Sequence, residues 1–321
     1  MTASIEVMGS VGTPALWIGF TAFVVAMLAL DLVVFHRKAH TVGVREALVW
    51  TGVWVGLALL FNVGVYLHFG EEVALEFLTG YLIEKALSVD NMFVFIVVFG
   101  AFAVPPALQH RVLYWGVFGA LVARIVFIAA GVALLQRFHW VVYPLGAFLV
   151  ITAIRLLVQR EATTDPRQNV LFRLVRRMIP AVSDYRGARF TVVENGRRYA
   201  TPLLIVLIAI EATDIVFAVD SIPAIFAITT DPFIVFTSNI FALLGLRALY
   251  FALARIMARL HYLKVGLSFV LAFVGAKMLA GAVVHIPIGV SLGVIALAIG
   301  GSVVASLVRP ARRGADDATP G

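Results

Sequence analysis

Polar positions are scarce along this chain, and their spacing divides it. Nine apolar runs, at approximately 15–35, 47–68, 75–102, 111–136, 139–159, 202–229, 232–256, 263–283 and 287–308, each supply the roughly 20 residues that a helix needs to cross a bilayer. They predict nine transmembrane helices and an all-α polytopic membrane protein. Between 160 and 201 the pattern changes. "NVLFRLVRRM" (169–178) is a basic amphipathic stretch, and "RFTVVENGRRYA" (189–200) has two short runs flanking Asn195-Gly196, which predicts a small β-hairpin.

Composition agrees with this division. With 62% hydrophobic and 13% charged residues and a mean hydropathy of +1.00, the chain departs from soluble-domain values. The net charge of +7 does not call for a nucleic-acid partner, because the basic residues gather between the apolar runs in alternate loops. Arg37, Lys38 and Arg45 follow the first run, whereas Glu71, Glu72 and Glu76 follow the second. Arg111 and Arg137 do not discriminate. The loop at 160–201 carries nine Arg against four acids, Asp231-Pro232 follows span 6, and Arg255, Arg259 and Lys264 follow span 7. No basic residue follows span 8, and the tail holds Arg309, Arg312 and Arg313. The positive-inside rule then puts the N-terminus outside and the C-terminus inside, in a cytoplasmic (inner) membrane. The first run has no basic residue before it and His36-Arg37-Lys38 after it, the reverse of a signal peptide, so it is expected to be a retained helix. Residues 169–178 read as a solvated segment resting on anionic lipid heads.

Span 3 and span 6 repeat a pattern. "YLIEKALSVDNMFVF" (81–95) aligns with "EATDIVFAVDSIPAIF" (211–226), matching Asp90 with Asp220 and Glu84 with Asp214. The match extends to Arg124 with Arg247 in the second helices and Arg155 with Lys277 in the third. The loop charges make the two units opposite in direction, as in transporters whose sites lie where inverted repeats meet. The expected organisation is 1–70, the first two helices; 71–160, the first three-helix unit; 161–201, a cytoplasmic loop; 202–283, the second, inverted unit; and 284–321, the last helix and tail.

Five carboxylates at membrane depth, Glu84, Asp90, Glu211, Asp214 and Asp220, are each expensive on insertion scales. Four basic residues, Lys85, Arg124, Arg247 and Lys277, can offset part of that charge as a structural network. The remainder suits a divalent cation or protons. Glu211 and Asp214 share a helix face, but the six residues between Asp214 and Asp220 turn a regular helix by about 240°. Pro223 supplies a break there, freeing the carbonyl of Val219. The chain has no Cys, and its seven His lie at span ends or in loops. Thiol redox chemistry and soft-metal sites are therefore absent, and Asp, Glu, Asn91, Ser88, Ser221, Asn239 and the Val219 carbonyl suit Mg²⁺, Ca²⁺ or Mn²⁺. Met92 reads as lipid-facing packing in preference to a soft ligand that would favour Mn²⁺. No nucleophile and His arrangement and no phosphate-cradling loop suggest an enzyme, and no bound cofactor is expected.

The segments "YLIEKALSVDN", "EATDIVFAVDSIPAIFAITTDPFIVFTSNIFALLGLRALYF" and "LDLVVFHR" strongly resemble the TerC family, most of all its Alx-type members, over approximately residues 12–305. The resemblance implies a LysE-superfamily-like arrangement of inverted repeats and export of Mn²⁺ from the bacterial cytoplasm, with Glu84, Asp90, Glu211, Asp214 and Asp220 as the ion site. Proton antiport would follow from crowded carboxylates. Ca²⁺ export by the same ligands, or a scaffold role linked to metal or tellurite stress, stays open at this point, as does the oligomeric state.

Overall fold

Helix occupies each of the nine apolar runs. The computed structural model describes residues 10–36, 43–158, 181–182, 184–194, 196–254, 260, 262–281, 283–284 and 286–308, with the side chains of 31–36, 44, 90, 93, 136, 139 and 220 outside that description. The helices are α1 (Pro14–His36), α2 (Val44–Phe69), α3 (Glu71–Ala101), α4 (Pro106–Arg137), α5 (Val142–Val158, entered through a 3₁₀ turn at His139–Val141), α6 (Pro202–Phe226), α7 (Pro232–Leu243), α8 (Leu246–Leu253), α9 (Leu263–Ala280) and α10 (Ile288–Val308). Proline opens α4, α6 and α7, where its missing N–H has no partner to lose.

Among the described residues, five helices are long and apolar enough to cross a membrane, and the α7–α8 pair makes a sixth. The apolar parts of α1 and α5 are shorter, and α3 carries Glu84, Lys85 and Asp90 in its middle. Large apolar side chains such as Leu60, Leu67, Val126 and Leu297 face outward, where only lipid can receive them without penalty. The chain is a multi-pass membrane protein.

Two expectations about helix breaks are corrected. Helix α6 runs on through Pro223 to Phe226, so the proline removes one donor without dividing the span; it lies in the last turn, where little helix remains to disrupt. The discontinuity falls one helix later. The run at 232–256 is two helices bent by 42°, because Leu244 turns extended and Gly245 takes φ 80°, a conformation that favours glycine. A Cβ at Gly245 would also overlap the Trp54 indole of α2.

Packing puts α3 against α6 and α7, and α4 against the same two helices. α5 packs on α9, and more lightly on α6, while α9 also meets α3. Gly146 of α5 and Gly275 of α9 let these backbones approach so closely that a side chain at Gly275 would meet the Gly146 carbonyl, the small-residue contact common between membrane helices. An aromatic cluster including Phe20, Phe61, Phe77, Phe233 and Phe241 joins α1 and α2 to α3 and α7. Met92 is fully buried among Phe95, Phe99, Leu203 and Leu246, correcting its lipid-facing assignment; small and apolar neighbours on α6 and α8 enclose that side of α3.

The hairpin forms as expected, with β1 (Thr191–Glu194) antiparallel to β2 (Arg197–Ala200) and Glu194 opposite Arg197. Its base is seated on the membrane domain. Tyr185 donates to the Phe102 carbonyl in the α3–α4 turn at 2.8 Å, and Arg111 stacks over the Phe190 ring. Burial raises the Tyr185 phenol above its usual pKa. Residues 169–178 lie outside the described residues.

The Gly245 joint generates a test. Gly245→Ala should destabilise the protein by about 1–3 kcal/mol, seen as a lowered thermal midpoint in detergent, whereas Gly64→Ala, where an added Cβ meets nothing within 4 Å, should leave the midpoint unchanged or raise it.

Candidate functional site

A helix that must bury charge does best by placing all of it on one stripe. On α3, Glu84, Ser88 and Asn91 follow at i, i+4 and i+7, a single face, and all three are buried. This stripe meets α4, α6 and α7. Arg124 of α4, fully buried, makes an ion pair with Glu84 at 2.6 Å and donates from the same Nη1 to Asn239 Oδ1 of α7 at 2.7 Å. Asn91 approaches Asp214 of α6, Nδ2 to Oδ1, at 3.4 Å. Asp214 is 2% exposed and lies within electrostatic reach of Arg124 and Glu84.

Glu211 stands one turn before Asp214 on α6, half-buried and electrostatically coupled to it. Its carboxylate lies against Gly119 of α4, where any side chain would overlap it. The i, i+3 placement therefore does bring these two acids to one region. Lys85 takes a different partner from the one expected: its Nζ donates to the Ala242 carbonyl of α7 at 3.1 Å. Lys277 donates to Ser291 Oγ of α10 at 2.9 Å and faces Glu76 of α3 electrostatically. Arg247 is buried at the start of α8, and Arg155 is exposed. Val219 turns its side chain to an apolar pocket lined by Leu134, Trp140 and Phe148.

Several buried oxygens at the α3–α6 seam find no hydrogen-bond donor among the described residues: both of Glu84 beyond its ion pair, Asp214 Oδ2, Ser88 Oγ and Ser221 Oγ. The same cluster leaves Arg124 Nε and Nη2 and Asn239 Nδ2 without acceptors. Buried polar atoms are nearly always satisfied, so both the oxygens and the nitrogens are open to a ligand, and the oxygens suit a hard cation. No three His, Asp or Glu side chains converge at metal-binding distance among the described residues, and the side chains of Asp90 and Asp220, on which both motifs centre, lie outside them.

A second acidic group was not anticipated. Glu72, Glu76, Thr229, Thr230 and Asp231 line an open pocket of ≈ 440 Å³ between the start of α3 and the α6–α7 turn. Asp231 is committed to structure there: Oδ1 accepts from the backbone of Phe233 and Ile234 and from Ser10 Oγ, and Oδ2 accepts from Val11 N at 2.6 Å. Asp before Pro232 is a helix N-cap signal that could have located it.

A helical membrane protein with a carboxylate and guanidinium cluster buried between four helices is thus defined. The model of the integral membrane protein TerC family matches residues 69–314, and the chain belongs to that family. It is 57% identical over 313 residues, 98% of each chain, to "Uncharacterized membrane protein STKORF319" of Myxococcus xanthus. It is 48% identical over 297 residues to "Putative membrane-bound redox modulator Alx" of Escherichia coli K12, covering 90% of this chain and 92% of that one. A membrane protein of Rickettsia bellii is 39% identical over 293 residues, 91% of this chain and 97% of its own. No solved structure matches the chain.

The pairing predicts an order of stabilities. Arg124→Met strands Glu84 in the core and should cost about 3–5 kcal/mol; Glu84→Gln should cost less, because Asn239 and Asp214 still face the guanidinium. The double variant should recover part of the Arg124→Met loss in the same denaturation measurement.

Proposed function

We propose that this protein is a secondary transporter that exports a divalent cation, Mn²⁺ first among the candidates, from the cytoplasm, rather than an enzyme. The observation that carries the reading is the set of unpartnered buried oxygens of Glu84, Asp214, Ser88 and Ser221 where α3 meets α6. In this reading Glu84, Asp90, Glu211, Asp214 and Asp220 supply the charge for a dehydrated ion, and Asn91, Ser88, Ser221 and Asn239 supply neutral oxygens. Arg124 holds the unloaded cluster together, and protons serve as the counter-ion.

Nine crossings, six of them in two inverted three-helix units, with the N-terminus outside the inner membrane, complete the proposal. The pattern of packing supports it. Exchanging α3, α4 and α5 for α6, α7–α8 and α9 turns the α3–α7 contact into α4–α6 and the α5–α6 contact into α9–α3, and it leaves α3–α6, α4–α7 and α5–α9 in place. Such reciprocity is what a pseudo-two-fold axis would produce, and for inverted units that axis lies in the membrane plane. The name of the Escherichia coli relative describes a redox modulator; without cysteine, any such influence in this chain would run through its metal cargo and not through thiols.

The decisive experiment uses reconstituted protein. Asp90→Asn and Asp220→Asn, verified as folded, should abolish Mn²⁺ flux in proteoliposomes and fail to restore tolerance to a Mn²⁺-sensitive host. Wild-type behaviour from both variants would overturn transport through this site and leave the buried charges as scaffold. Parallel flux of Ca²⁺ and Mg²⁺ identifies the cargo.

A further inference from the structure

The break between α7 and α8 leaves carbonyls without helical donors, since the last four of any helix lack them. They lie at the negative end of the α7 dipole, in a position favourable to cations. Helix α7 is buried along nearly all its length, with Ala242 fully enclosed, so water is a poor substitute. Lys85 reaches this end from α3 and donates to the Ala242 carbonyl at 3.1 Å. One residue earlier on α3, Glu84 is clamped by Arg124, which also holds Asn239, three residues before Ala242 on α7. The ammonium therefore sits on the α3–α7 seam, one residue along α3 from the Glu84–Arg124 pair.

In transporters with discontinuous helices, free carbonyl ends are where small cations are coordinated. Here a cation is already present, and it is covalently attached. We infer that the Lys85 ammonium is a tethered stand-in for the transported cation, occupying the carbonyl end of α7 when the site is unloaded and giving way when a divalent ion enters. Rigid structural pinning would be the alternative role for the same contact. The two differ in a measurable way: a stand-in competes with the ion, whereas a pin does not. The other half of the molecule has no counterpart, because α4 continues unbroken past Gly119 and α6 presents Glu211 there instead of a lysine. Competition at one end only would make loading of the site depend on which half has moved.

This inference rests on the divalent-cation reading, and its test separates the two. Equilibrium binding of Mn²⁺ alone is measured with the full-length protein in lipid nanodiscs for wild type, Lys85→Gln, Lys85→Met and Lys277→Gln. Lys85→Gln keeps a donor for the Ala242 carbonyl while removing the charge, and it guards against simple unfolding of Lys85→Met. Both Lys85 variants should bind Mn²⁺ at least about tenfold more tightly, since a nearby positive charge no longer opposes the ion, while Lys277→Gln should match wild type. If wild type binds Mn²⁺ and the folded Lys85 variants bind equally or more weakly, the stand-in role is overturned and the transport reading stands. Equal tightening by Lys277→Gln would reduce the effect to net charge and also overturn it. If neither Lys85 variant folds, the residue is a pin. If no protein binds Mn²⁺, the ion site itself fails and the inference falls with it.

Discussion

A guanidinium sealed from both water and lipid has to find its acceptors within the protein, and here that requirement falls on Arg124. Its Nη1 meets Glu84 of α3 and Asn239 of α7 together, so one side chain on α4 fixes the depth and rotation of two other helices. Asp214 of α6 is close enough to feel the same charge. A buried ion pair of this kind adds little net stability over an apolar substitute, but breaking it is severe. Its effect is to enforce one register among four helices that lipid-facing Leu and Val could not distinguish. The remaining polar groups of the seam inherit their positions from that register.

The surrounding apolar structure is arranged so that these charges need not move far to be shielded. Aromatic rings from α1, α2, α3 and α7 wall the cluster on one side, and the close crossing at Gly146 and Gly275 draws α5 and α9 together on another. At the loop end, the hairpin ties the α3–α4 turn to the segment leading into α6 through Tyr185 and Phe190. Each device joins one of α3–α5, or the turns between them, to α6–α9, to the segment entering α6 or to α1 and α2. The cluster is therefore held between helices distant in the sequence rather than within one segment.

Much of this was legible in the residues alone. Apolar run length predicted where helices form, because a lipid-exposed backbone has no other way to satisfy its hydrogen bonds, and Asn195-Gly196 predicted the hairpin because few dipeptides tolerate that turn. The rarity of charge at membrane depth singled out Glu84, Arg124 and Asp214. What the residues did not reveal was partnership. Lys85 and Lys277 were matched to the five carboxylates by charge, yet Lys85 found a helix end and Lys277 a serine and the more distant Glu76, since a lysine's reach is decided by which helix its neighbour faces. The break was assigned to Pro223 on its known chemistry, but the fold places it at Gly245, where the signal is one glycine among 26 and only the Trp54 ring pressed against it shows why that one matters.

Helix α4 spans 32 residues without interruption, while the α7–α8 stretch is jointed at Gly245. Mechanically, one side is a strut and the other an elbow. The two would respond differently to load: α4 can only tilt as a rod, whereas α7 and α8 can flex about a single residue. The indole of Trp54 lies directly against that elbow. Helix α2, which carries no part of the charged cluster, would thereby limit how far the joint can bend toward it.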